Sequence, residues 1–166
     1  MLPPFVIPQD PSAAEAIAAI GEELEIFDDW MERYQHIIDM GRRLPAFPTE
    51  WMDDAHRVPG CQSKVWMEGA LTDGRLFLAG VSDAAIVSGL IALLLRVYSG
   101  RTPEEIAATD PGFLKDLGLI EALSTNRGNG IAAMPLPRLV DSASSSPRSF
   151  RNTGSVARIS AGVRPE

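Results

Sequence analysis

One cysteine and two histidines in 166 residues leave few places for nucleophilic or metal chemistry. The cysteine lies in "HRVPGCQSKVW", residues 56 to 66. A thiolate is the reactive form of cysteine, so Cys61 needs access and a neighbour that favours the charged sulfur. Gly60 removes a side chain beside it and lets backbone amides come close, and His56, Arg57 and Lys64 are nearby sources of positive charge. The opposing reading is plain: a free cysteine is ordinarily a small buried hydrophobe. Such cysteines stand inside a periodic apolar stripe, whereas Cys61 sits in Pro-Gly-Cys-Gln-Ser, outside any stripe. One thiol makes no intramolecular disulfide, and with two histidines it falls short of a structural zinc set. A hydrolase with Cys61 as nucleophile and His36 or His56 as base is also compatible with the composition. No spacing fixes the geometry such an enzyme needs.

The elements that would position this segment are signalled on either side of it. Residues 1–11, with four prolines, cannot propagate a helix and are expected to form a disordered leader. Ser12 with Glu15 has capping-box spacing, and Ala16, Ile17, Ile20, Leu24 and Phe27 trace one face of a first helix. Asp28 or Asp29 caps a second, with Trp30, Met31, Tyr34, Ile37 and Ile38 recurring at three- and four-residue steps. "PAFPTEWMDDAHRVPG" then reads as a connecting loop that delivers the chain to Cys61. Beyond it, Asp73-Gly74 between two apolar runs predicts a hairpin beginning almost at the thiol, with Val65, Trp66 and Met67 as core. Asp83 is placed to cap the apolar helix 84–98, which Gly100 closes. Thr102-Pro103 opens a short helix, and Asp110-Pro111 another. Residues 12–134 are thus expected to form one α+β domain, a small antiparallel sheet of about three strands covered by helices. Residues 135–166 read as a disordered or divergent Ser/Arg/Pro-rich tail.

Charge narrows the partners. The net charge of −7 divides into about −10 for residues 1–134 and +3 for the remainder. An acidic body without a basic stripe argues against nucleic acid. The longest apolar run, 84–98, is too short for a bilayer that needs roughly 20 residues, and no signal-peptide pattern opens the chain. A reducing cytoplasm is the expected compartment.

The string "VPGCQSKVW" resembles the signature of the SufE family, the sulfur-acceptor partners of cysteine desulfurases in iron–sulfur cluster assembly. "WMERYQHIIDMGRRLP", "SDAAIVSGLIALLLRVYSGRTPEEI" and "LSTNRGNGIAAM" resemble three further blocks of that family, in the same order. The resemblance implies a fold of the SufE/IscU kind. It also implies a protein that is not itself an enzyme: Cys61 accepts persulfide sulfur from a SufS-like desulfurase, enhances that enzyme, and passes the sulfur to a SufBCD-like scaffold. The pyridoxal phosphate belongs to the desulfurase, and no cofactor or metal of the carrier's own is implied. Gly60, Gln62 and Ser63 would shape the loop around the thiol, and Asp83 and Arg127 would face the partner. For Asp83 a helix cap is the preferred reading, and for His56 that of a loop histidine. Two departures from the family pattern are visible, glycine at 128 and the prolines at 135 and 137. The free protein is expected to be a monomer or a homodimer. The alternative function, a cluster scaffold or metal-binding module, would need several ligands, and one thiol per chain supplies too few.

Overall fold

A computed structural model describes residues 4–58, 63–110 and 112–119. Helix α1 (Ala13–Glu25) starts at Ser12, whose hydroxyl accepts from the Glu15 amide at 3.1 Å, and it buries Ala13, Ala16, Ile20 and Leu24. Helix α2 (Trp30–Arg42) is capped by Asp29, which accepts from Glu32 N at 2.8 Å. Both beginnings are as the spacing of cap and carboxylate predicts.

After a short 3₁₀ turn, Thr49–Trp51, the chain enters a hairpin of β1 (Val65–Thr72) and β2 (Arg75–Ser82). The register pairs Thr72 with Arg75. Asp73 and Gly74 both have positive φ, 52° and 75°, the two-residue turn whose twist matches the strands it joins. The sheet has two strands among the described residues, not three. Each outer edge carries an isolated bridge, Arg57 to Trp66 beside β1 and Leu76 to Arg101 beside β2. Residues 56–58 pair too briefly to count as a strand.

Helix α3 (Ala85–Tyr98) is the centre of the domain, buried along nearly its whole length. The hairpin packs on one side of it through β2, and α1 and α2 pack on others. Its contact with α2 is close because Gly41 and Gly89 meet: a Cβ on Gly41 would come within 2.5 Å of Gly89 N. Gly100, at φ 77°, ends α3 beside Pro8. Helices α4 (Pro103–Ala108) and α5 (Phe113–Asp116) follow, with Thr102 capping α4 through Glu105 N. No helix is long and apolar enough to cross a membrane among the described residues.

The expected disordered leader is a correction. Phe5 is 3% exposed, Val6 N donates to Leu78 O at 2.9 Å, and Val6 O accepts from the Ser99 hydroxyl at 2.6 Å. Asp10 accepts from Arg96 through its side chain and from Arg101 through its carbonyl. The prolines forbid a helix, as read, but an extended segment can still lie along the edge of β2 and donate to its Leu78 carbonyl, while Leu78 N donates to Ser99 Oγ. Residues 135–166 lie outside the described residues.

Candidate functional site

Of the residues singled out around the thiol, Gly60, Cys61, Gln62 and the more distant Arg127 lie outside the described residues. The frame on both sides of the cysteine is described, and it is well fixed. On the incoming side, Met67 N donates to His56 O and Val58 N donates to Val65 O, both at 2.9 Å. Residues 56–58 are thereby held along β1, and Val58 is buried. On the outgoing side, Lys64 N donates to Asp83 Oδ1 at 3.0 Å, Asp83 N to Lys64 O at 3.2 Å, and the Ser82 hydroxyl to Lys64 O at 2.8 Å. Ser63, partly buried, stands just before this second attachment.

This geometry corrects the expected role of Asp83. It does not cap α3: the N-cap is Ala84, without a side-chain hydrogen bond. The Asp83 carboxylate turns back across the sheet edge to Lys64, 19 residues earlier. The start of α3 is instead tied by Ser82 and Ser88. Ser82 N donates to Ser88 Oγ at 3.0 Å, Ser88 Oγ donates to Ser82 O at 3.1 Å, and Ala84 N donates to Ser82 Oγ at 3.2 Å.

His56, read as a loop histidine, is the most constrained side chain of the incoming side. Its Nδ1 lies 2.6 Å from Asp53 Oδ1 and its Nε2 lies 2.8 Å from Glu68 Oε2. The ring is stacked on Trp51, centroids 5.8 Å apart and planes 10° from parallel. Asp53 Oδ1 also accepts from His56 N at 3.0 Å. The hydrogen bond from the His56 side chain holds the Asp53 carboxyl below its ordinary pKa, against a smaller opposing desolvation. Glu68 is 7% exposed, and its other oxygen accepts from Gly69 N at 2.8 Å. A buried carboxylate is costly unless partnered, so Glu68 in the apolar run Val-Trp-Met-Glu-Gly-Ala-Leu was the one sequence signal that pointed to this chain of contacts. Both ring nitrogens of His56, one of the candidate neighbours for the thiol, face carboxylates instead.

His36, the other base considered for a hydrolase, lies on α2. Its described partners are Glu23, with Nε2 3.7 Å from Oε2, and the Phe27 ring at 5.0 Å. It lines a cavity of about 600 Å³ between the N-terminal segment, α2 and α3, with Phe5, Met40, Arg43 and Arg96. Among the described residues that line it are none that flank the cysteine segment. Burial opposes the charge of Arg96, but hydrogen bonds to Asp10 and Glu23 outweigh it and raise its pKa. Among the described residues, no group of three or more His, Cys, Asp and Glu could hold a metal ion.

Comparison with known proteins bears on the whole arrangement. The family model described as "SufE: Fe-S metabolism associated domain" matches residues 18–137. An uncharacterized SufE-like protein of Rhizobium meliloti (strain 1021) is 36% identical over 118 residues, 68% of this chain and 84% of the relative. A second, from Rhizobium etli, is 37% identical over 118 residues, covering 68% and 80%. A third, from Synechocystis sp., is 36% identical over 114 residues, covering 69% and 72%. The solution structure of a hypothetical protein from Thermus thermophilus superposes with a TM-score of 0.64 over 88% of this chain and 100% of that one. At 24% identity that likeness speaks to the fold alone. A helix-covered hairpin with its lone cysteine segment pinned at both ends, matched over residues 18–137, therefore belongs to the SufE family, whose domain is associated with iron–sulfur metabolism.

Proposed function

We propose that the protein is a sulfur carrier in iron–sulfur cluster assembly, with Cys61 as the acceptor. The observation that carries this reading is that the matched region contains a single thiol. A protein with one sulfur nucleophile can hold a sulfur atom in transit, whereas a disulfide exchanger needs a second thiol to resolve the first. The Cys61 thiolate attacks the outer sulfur of a persulfide on a cysteine desulfurase. The sulfur–sulfur bond of the donor breaks as a new one forms, Cys61 becomes Cys61–S–SH, and the donor cysteine leaves as a thiolate. No net oxidation occurs, so no further reagent is required. The pyridoxal phosphate that strips sulfur from free cysteine belongs to the desulfurase, and the carrier uses no cofactor of its own. Removal of the sulfur onto Cys61 clears the enzyme for another turnover, which is how the carrier raises desulfurase activity. The sulfur then passes to a cluster scaffold, in the cytoplasm. Gly60, Gln62 and Ser63 shape the acceptor loop, and Arg127 contacts the partner.

The test combines mass spectrometry with turnover. After incubation with a SufS-like desulfurase and cysteine, Cys61 gains the mass of one sulfur atom and alanine production rises. Cys61→Ser abolishes both while its circular dichroism stays that of the parent. A parent chain that never gains sulfur on Cys61 removes the reading.

A further inference from the structure

The contacts around His56 are more elaborate than a short edge bridge requires. Backbone hydrogen bonds from Met67 to His56 and from Val58 to Val65 already lay residues 56–58 along β1. Yet the His56 ring is also fixed in its own plane at both nitrogens, by Asp53 at 2.6 Å and Glu68 at 2.8 Å, and on one face by Trp51. A ring facing carboxylate oxygens at both nitrogens donates to both only when it carries both protons. Glu68 is itself a carboxylate inside a strand, where an apolar side chain would be cheaper to bury. Stability alone does not explain keeping it there. The place of the ring does: Cys61 is five positions after His56, and Val58, two residues on, is the last described residue before the cysteine segment.

We propose that the Asp53–His56–Glu68 chain positions the sulfur acceptor, by fixing the incoming side of the segment that carries Cys61 so that the thiol meets the donor persulfide in line. This rests on the carrier reading above and adds positioning residues to it. His56 acts through the backbone it holds and takes no part in the sulfur exchange. The chain's work is done after docking, so its loss lowers the rate of transfer in the bound complex without weakening the complex.

The experiment measures sulfur loading of Cys61 by mass spectrometry against carrier concentration, with the full chain, a desulfurase and cysteine. His56→Ala and Glu68→Leu lower the maximal loading rate about tenfold or more, as misplacement of a reacting group by a fraction of an ångström does. The half-saturating concentration stays within about twofold, since docking is untouched. Glu68→Leu also melts lower than the parent, because removing one partner strands the His56 ring and Gly69 N. The double variant His56→Leu/Glu68→Leu leaves neither ring nor carboxylate behind, melts closer to the parent and still loads slowly, whereas a merely structural role would let the rate recover with the stability. Glu68→Gln keeps an oxygen that accepts from Nε2 and loads within about threefold of the parent. Should His56→Ala fail to fold, the Glu68 pair decides alone. Loading by Glu68→Leu at the parental rate overturns the proposal, as does a change confined to half-saturation. A parent that loads while Glu68→Leu loads equally removes this inference and leaves the carrier; a parent that never loads removes both.

Discussion

The α2–α3 crossing and the frame around the cysteine segment both depend on backbones held close together, but by opposite means. At the crossing, closeness comes from the absence of side chains: Gly41 and Gly89 touch, and a Cβ on Gly89 would overlap the Ile37 carbonyl. Around the cysteine, closeness comes from polar groups at a sheet edge, His56 with its two carboxylates on one side and Asp83 with Ser82 on the other. The crossing has no freedom to yield, because every neighbour is packed. The frame is a set of separate hydrogen bonds, and apart from those of the buried Glu68 they lie outside the core. Stability and sulfur chemistry should therefore be separable by mutation in this molecule.

The largest expected effect is at the crossing. Gly89→Val forces α2 away from α3, since the obstructing atoms are backbone and cannot rotate aside. Overpacking of this kind costs about 3 kcal/mol or more, a large share of the stability of one domain. The denaturant midpoint should drop sharply, while the fraction still folded loads sulfur at the parental rate. A Gly89→Val chain as stable as the parent would mean that the crossing is loose, and the contrast between the two regions would lose its first half.

How much of this was legible in the sequence follows the range of the interactions. Caps are local, so Ser12 with Glu15, Asp29 with Glu32, and Thr102 with Glu105 could be read from spacing, as could the Asp73-Gly74 turn. Asp83 was misread because the same residue type serves a cap and a strand tie, and its partner Lys64 is remote in sequence. The leader departs from expectation because prolines report what a segment cannot form; they say nothing of the Leu78 carbonyl at the sheet edge that accepts from Val6 N. At the site, the signature around Cys61 was visible as a resemblance. The clamp was not, because His56 and Glu68 are 12 residues apart on opposite sides of the thiol. Only the misfit of a glutamate in an apolar strand hinted at it.

On the outgoing side of the frame, Asp83→Ala removes the acceptor of Lys64 N while the Ser82 hydroxyl still holds Lys64 O. One exposed hydrogen bond is worth no more than about 1 kcal/mol of stability, so thermal unfolding should change little. Sulfur loading should fall, but less than in His56→Ala, because the outgoing side keeps its second tie. Equal falls in the two variants would show that the sides of the frame act as one unit, and a double variant no worse than either single one would establish that coupling.

The smallest effect is at Asp53, and pH isolates it. Its carboxyl is held below the ordinary aspartate value of about 3.9 by the His56 hydrogen bond. A depressed folded-state pKa contributes stability that is present above the unfolded value and is lost as pH falls through the folded one. Asp53→Asn lacks that titration and keeps an oxygen for His56 N. The parent should therefore be slightly more stable at pH 6, with the gap closing as the pH is lowered below about 4. Urea midpoints of both chains from about pH 6 down to about pH 3 measure this directly, since every other carboxylate is common to the two. A gap that widens on acidification would mean that the aspartate strains the clamp. Closure of the gap, with loading by Asp53→Asn reduced less than by His56→Ala, would assign the clamp's grip mainly to the buried Glu68 side.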